Sequence, residues 1–135
     1  RSEEVGALAS EVAAVPRVRA SLLLRQRAFK IRPGLVADGR DMGTVVFPEA
    51  QLKVYLTASA DERAQRRYKQ LKDKGEAVSL PRLVADIEAR DRRDTERSVA
   101  PLRAAPGAVT VDTTGKGIQE VFDLLMAEVK ERGML

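Results

Sequence analysis

An α/β protein, with a parallel sheet covered by helices, is what this 135-residue sequence predicts. Two observations carry that reading. Short apolar, β-branched runs at Leu35–Ala37, Lys53–Thr57 and Ala108–Val111 alternate with longer segments of helical period. Strands separated by helices of this length pair in parallel, with the helices as crossovers. The length suits one domain with one core, so residues 1–135 are read as a single domain. Three short strands are nonetheless few for a parallel sheet, whose central strands need neighbours on both sides. The chain reads like part of an α/β domain.

The elements follow in order. Val5, Leu8, Val12 and Val15 recur at three- and four-residue steps, and Val18, Leu22, Leu23 and Phe29 continue the pattern. Pro16 starts a second helix or kinks the first, because it cannot donate to the preceding turn. Pro33-Gly34 ends this region, and Leu35-Val36-Ala37 is expected to be a buried strand closing on Asp38-Gly39. After the Lys53–Thr57 strand, Ser59 stands three residues before Glu62, the spacing of a capping box. That helix runs to about Lys74 and Gly75 terminates it. A further helix begins near Leu80-Pro81, with Leu83, Val84 and Ile87 on its apolar face. Beyond the Ala108–Val111 strand, Ile118, Val121, Phe122, Leu125 and Val129 form the expected core face of a last helix, stopped by Gly133.

Composition excludes whole reaction classes. Histidine, cysteine and tryptophan are absent, which removes nitrogen/sulfur zinc sites, iron–sulfur clusters, disulfides, thiol nucleophiles and serine–histidine triads. Carboxylates, arginines, lysines, hydroxyls and backbone amides remain, a set suited to binding and orienting phosphate. The net charge is +4, but the signs are interspersed and no basic block resembles a nucleic-acid-binding tail. Phe and Tyr total five residues, too few for a base-stacking platform, so no nucleic-acid partner is expected. No apolar run exceeds four residues and the N-terminal stretch is acidic rather than a signal peptide. No membrane partner is expected, and the cytoplasm is the default location.

Two segments could carry chemistry. Asp38-Gly39-Arg40-Asp41-Met42-Gly43-Thr44 follows a predicted strand, and open α/β sheets bind ligands beyond their strands' carboxyl ends. Arginine there offers a fork of donors matched to phosphate, and aspartate accepts from amino or hydroxyl groups. A solvated turn with an Arg–Asp pair explains the same residues. In the second segment Arg90, Asp94 and Arg97 share one helix face at steps of four and three. They could hold a phosphate and a sugar hydroxyl together, or form a surface laced with salt bridges worth under about 1 kcal/mol each. Arg63, Arg66 and Arg67 make a basic stripe; Arg17, Arg19, Arg25 and Arg27 read as ordinary helix surface. Gly115-Lys116-Gly117 is not a phosphate loop, which needs GxxxxGK followed by serine or threonine; that motif occurs nowhere in the chain.

Taken together these segments resemble the bacterial cytidylate kinases, nucleoside monophosphate kinases that phosphorylate CMP and dCMP. The match is carried by Ser10–Ala13, Pro16–Arg19, Arg25-Gln26-Arg27 and Gly34–Pro48, which includes the long string Gly39-Arg40-Asp41-Met42-Gly43-Thr44-Val45-Val46-Phe47-Pro48. It continues through Arg63-Ala64, Arg66-Arg67, Arg90-Asp91, Asp94, Arg97, Pro101-Leu102 and Asp112-Thr113-Thr114.

The resemblance implies a partial P-loop nucleoside-monophosphate-kinase fold whose central first strand is missing here. It also implies phosphoryl transfer from ATP to CMP or dCMP, with Mg²⁺. Cytosine contacts would fall on Ser10, Arg19 and Asp41, ribose and phosphate contacts on Arg90 and Asp94, and phosphate contacts on Arg40 and Arg97. Asp38 would stand near magnesium or the acceptor phosphate, while Arg66 and Arg67 would belong to a lid over ATP. No residue of this chain is expected to hold a metal by itself. The phosphate loop would come from an N-terminal segment, supplied in cis or in trans. The isolated chain is therefore expected to bind CMP weakly and not to turn over, its other reading being a nucleotide-binding or assembly half.

Overall fold

The structure, a computed structural model, describes residues 3–134. Its elements are α1 (Glu3–Val12), α2 (Pro16–Ala28), a single π-helical turn (Met42–Val46), β1 (Val54–Thr57), α3 (Ala60–Asp73), α4 (Leu80–Glu96), β2 (Val109–Asp112) and α5 (Ile118–Glu131). The α/β class holds: β1 and β2 pair in parallel, with Val54 opposite Val109 and Thr57 opposite Asp112. No described helix is long and apolar enough to cross a membrane.

Local signals place most boundaries. Pro16 opens α2 from its first turn, where the missing N–H costs nothing. Ser59 caps α3 by accepting from the Glu62 amide at 3.1 Å. The reciprocal half of the capping box is not made; Glu62 instead accepts from Arg66 Nε at 2.8 Å, one turn further on. Gly75 follows α3 with φ of 78°, a left-handed conformation that glycine adopts without strain.

Two expectations are corrected. Residues 35–38 are not a strand: Val36 is fully exposed and no described residue pairs with the segment. An extended run becomes a strand only when a neighbour supplies the hydrogen-bond ladder, and apolar composition does not supply one. The helical stripes are also less buried than their period implies. Val5, Leu8, Val12, Val15, Leu22 and Phe29 are exposed, as are Ile118 and Phe122 on α5, whereas Val121, Leu125 and Val129 are half-buried. Periodicity establishes the helix, but burial needs a surface to pack against.

The chain divides into two compact units. One is built from the chain up to Glu49 together with Ala89–Arg103, and the other from Ala50–Glu88 with the chain from Ala104 onward. The second unit has an ordinary apolar core: Ala64, Leu71 and Leu83 are buried, with Tyr68, Val78, Leu80, Val84 and Ile87 packed around them. The first is different. Its buried residues are Val46 and Phe47 with three polar ones, Ser10, Asp41 and Asp94. Truncating Leu71, 1% exposed, to alanine removes the largest member of the second unit's core. Leu71→Ala is expected to cost about 2–5 kcal/mol in urea denaturation, and an unchanged midpoint would contradict this packing.

Candidate nucleotide site

Buried polar groups must find partners, so the first unit's interior is best read through its hydrogen bonds. Asp94 lies on α4 and is 1% exposed. Ser10 Oγ, from α1, donates to Asp94 Oδ1 at 2.7 Å. Arg40 Nε donates to Asp94 Oδ2. Arg90 and Arg97, one turn to either side on the same face, reach the two carboxylate oxygens at 3.8 Å each. Gly6 of α1 makes room for this: an added Cβ would come within 3.3 Å of Arg90 Nη1.

Three guanidiniums thus converge on one carboxylate. Arg97 is the most deeply buried of the three. Its side chain is 7% exposed, Nε donates to the Ala100 carbonyl at 2.6 Å, and Nη2 has no hydrogen-bond partner among the described residues. A buried guanidinium N–H without an acceptor is costly, and an anionic oxygen would satisfy it. Ala100 takes a φ of 50°, uncommon for a residue with a side chain, in the turn that presents this carbonyl.

The second pair lies one residue away. Arg19 of α2 donates through Nη2 to Asp41 Oδ2 and through Nη1 to the Ala13 carbonyl at 2.8 Å. Asp41 is 8% exposed. Its carbonyl accepts from the Val45 and Val46 amides, closing the π-helical turn that follows. Gly39 leaves close quarters beside it: a Cβ there would meet Met42 Cγ at 3.0 Å, so the Met42 side chain would have to shift. Arg40 and Asp41 are consecutive, so the cationic cluster and the Arg19–Asp41 pair are joined through adjacent residues.

The remaining expected site residues stand elsewhere. Asp38 is exposed and enters neither cluster. Arg66 belongs to the second unit, where it donates to Glu62 Oε1, Thr113 Oγ1 at 3.0 Å, the Thr113 carbonyl and the Lys116 carbonyl. Thr113 in turn donates through Oγ1 to the Thr57 carbonyl at 3.0 Å, closing the carboxyl end of the two-stranded sheet. Arg67 Nη1 contacts Gln70 Oε1 at 3.4 Å. Ser10, expected at a base, is bonded to Asp94. Two residues carry more than the sequence reading gave them: Thr113, and Arg27, whose guanidinium binds main-chain carbonyls. The signals for Arg27 were its place two turns beyond Arg19 on one helix and its presence in the Arg25-Gln26-Arg27 stretch of the resemblance, neither of which gave it a role. Among the described residues no group of three or more acidic side chains could hold a metal ion.

A sequence model of the cytidylate kinase family matches residues 1–131. The chain belongs to the cytidylate kinase family. It is 58% identical over 135 residues to a cytidylate kinase of Marinomonas sp., covering 100% of this chain and 60% of that protein. It is 60% identical over 132 residues to cytidylate kinases of Pseudomonas fluorescens and Shewanella loihica, covering 98% of this chain and 58% and 57% of theirs. The chain thus spans less than two thirds of the length of these cytidylate kinases.

Two measurements test the geometry. Asp94→Ala strands three guanidiniums and the Ser10 hydroxyl, and is expected to cost about 3–5 kcal/mol by urea denaturation. An unaltered midpoint would mean that those groups find other partners. At the end of β2, the Thr114 backbone amide and then its hydroxyl donate to Asp112, and both hold that carboxyl below its usual value. A depressed folded-state value gives a contribution that is present above the unfolded value and lost as pH falls through the folded one. The Thr114 amide resonance is therefore expected to titrate with a midpoint below the ordinary aspartate value of about 3.9. A midpoint at or above that value would contradict these hydrogen bonds.

Proposed function

We propose that this chain carries the acceptor-nucleotide site of a kinase that transfers a phosphoryl group from ATP to CMP or dCMP, giving CDP or dCDP. The observation that supports it most directly is the buried Nη2 of Arg97, which has no hydrogen-bond partner among the described residues, beside Arg40 and Arg90, with Arg40 one residue along the chain from Asp41 of the Arg19–Asp41 pair. One end of that arrangement suits a phosphate and the other the edge of a base.

The chemistry divides accordingly. Cytosine offers an amino donor at N4 beside acceptors at N3 and O2, which a carboxylate and a guanidinium complement. Uracil turns an acceptor toward Asp41, leaving a buried polar pair unmatched. Asp94 accepts from a sugar hydroxyl, with Ser10 and Arg90 around it. Arg40 and Arg97 neutralise the acceptor phosphate. One of its oxygens attacks the γ-phosphorus of ATP, the bond from that phosphorus to the β,γ-bridging oxygen breaks, and ADP leaves with the electron pair. Such transfer asks for positioning and charge neutralisation, with no covalent intermediate.

Asp38 is assigned near the acceptor phosphate, and Arg66 and Arg67 to the donor side as part of a lid. Magnesium, which spreads the charge of the transferring phosphates, would enter with the donor nucleotide. Residues 1–135 are read as one incomplete kinase domain of the cytoplasm, with no nucleic-acid or membrane partner. The chain has no GxxxxGK motif followed by serine or threonine, so the cradle for the triphosphate is assigned to another segment, in cis or in trans. That absence also favours a second reading, a nucleotide-binding half that is inactive by itself.

Calorimetric titration of the chain with CMP and UMP is the test. CMP is expected to bind in preference to UMP, and Asp41→Asn to weaken CMP by roughly tenfold to a hundredfold, the loss of one charge-assisted hydrogen bond of about 1.5–3 kcal/mol. ATP turnover is expected only when a phosphate-loop segment is added. Equal binding of CMP and UMP, or none of either, would overturn the acceptor-site reading.

A further inference from the structure

We propose that Arg27 is a positioning residue for Asp41, acting through the backbone of the π-helical turn. Arg27 lies in the last turn of α2 and donates from Nε to the Val46 carbonyl at 2.9 Å and from Nη2 to the Val45 carbonyl at 3.0 Å. These are the last two carbonyls of the turn, which have no acceptor role within it. The amides of the same two residues donate to the Asp41 carbonyl, at 2.9 Å and 3.2 Å. Each of Val45 and Val46 is therefore held on both sides, by Asp41 through its N–H and by Arg27 through its C=O.

Helix α2 grips the segment at two points. Arg19 takes the Asp41 carboxylate, and Arg27, eight residues and about 12 Å further along the axis, takes the far end of the turn. Lys30 adds a third hold, at 3.3 Å from Glu49, whose carboxyl is lowered by its own backbone hydrogen bond and then by Lys30. A π-helical turn is a rare conformation that seldom persists without support from its surroundings. Val46 and Phe47 anchor its inner side by burial, and Arg27 fixes its outer side. A guanidinium is suited to this, since its planar fork spans two consecutive carbonyls where an ammonium meets one. Without it the turn can relax toward α-helical or open geometry. The Asp41 main chain then shifts, and the carboxylate leaves the plane in which Arg19 presents it.

The functional half of this inference rests on the acceptor-site reading, and the experiment separates the two. The chain, Arg27→Ala, Arg27→Lys and Asp41→Asn, with the Arg27→Ala/Asp41→Asn double variant, are titrated with CMP and UMP after circular dichroism has established folding. Arg27→Ala is expected to reduce the CMP-to-UMP affinity ratio about tenfold, with Arg27→Lys recovering part of it. Arg27→Ala is expected to add nothing to Asp41→Asn, since it acts through that carboxylate. A folded Arg27→Ala chain with an unchanged ratio, or an undiminished effect on top of Asp41→Asn, overturns the proposal. Should Arg27→Ala not fold, Arg27→Lys decides by the same ratio. Should the unaltered chain bind neither nucleotide, the acceptor-site reading fails by itself. The positioning role is then read from the Arg19 guanidinium resonances, which shift in the Arg27 variants if Asp41 moves and stay in place if the proposal is wrong.

Discussion

The carboxylate of Asp94 is the interaction on which the first unit depends. It receives Ser10 from α1, Arg40 from the loop before the π-helical turn, Arg90 from its own helix and Arg97 from the residue just past that helix's end. Its backbone carbonyl accepts from the Leu102 amide at 2.7 Å, so the chain after α4 is tied down at the same residue. With only Val46 and Phe47 buried among its described apolar residues, this unit shows little hydrophobic cohesion. Its parts are joined by charge and hydrogen bonding. Such a joint is expensive to form, because burying the Asp94 carboxylate and the Arg97 guanidinium forfeits their hydration, and it is more expensive to break from one side.

On the proposed acceptor-site reading, the same atoms serve both structure and binding. Asp94 partly neutralises Arg40, Arg90 and Arg97 and orients them, with Arg97 buried and Arg40 and Arg90 still partly open to water. An arriving anion meets guanidiniums whose ordering has already been accomplished, which is the energetic meaning of preorganisation. The second unit is stabilised differently. There Ala64, Leu71 and Leu83 exclude water in the ordinary way, while Arg66 and Thr113 hold the carboxyl end of the β1–β2 sheet together. An arginine engaged with several oxygens at once is a brace, and any role over a triphosphate would require it to let some of them go.

What could be read from the sequence follows from the range of each interaction. Pro16, Ser59 and Gly75 act on their own helix turns and were legible. So was the shared face of Arg90, Asp94 and Arg97, which the helical repeat alone creates. The parallel pair of β1 and β2 was legible because helices lie between two β-branched runs. The strand expected at residues 35–37 failed because a ladder depends on another segment, and the exposed stripes of α1, α2 and α5 failed for a related reason. Ser10 and Arg40 come to Asp94 across 84 and 54 residues, and nothing local announces either meeting; the resemblance implied a base contact for Ser10 and a phosphate contact for Arg40, and neither of these names Asp94. Arg27 escaped because its acceptors are main-chain carbonyls, which have no signature in a string of side chains.

The dipeptide Arg40-Asp41 concentrates these constraints. Its side chains part company, one to the cationic cluster at Asp94 and the other to Arg19. Their separation is therefore set by one peptide unit and by the backbone of Asp41, at φ −130° and ψ 18°. Those angles lead directly into the π-helical turn, in which the Asp41 carbonyl accepts from both Val45 and Val46. An α-helical turn would wind this segment more tightly and rotate Asp41 relative to Arg40. The unusual winding of residues 42–46 thus bears on where the Arg40 guanidinium stands relative to the Asp41 carboxylate. The glycine-rich, β-branched string around Arg40 and Asp41 specifies a spacing as much as a set of functional groups.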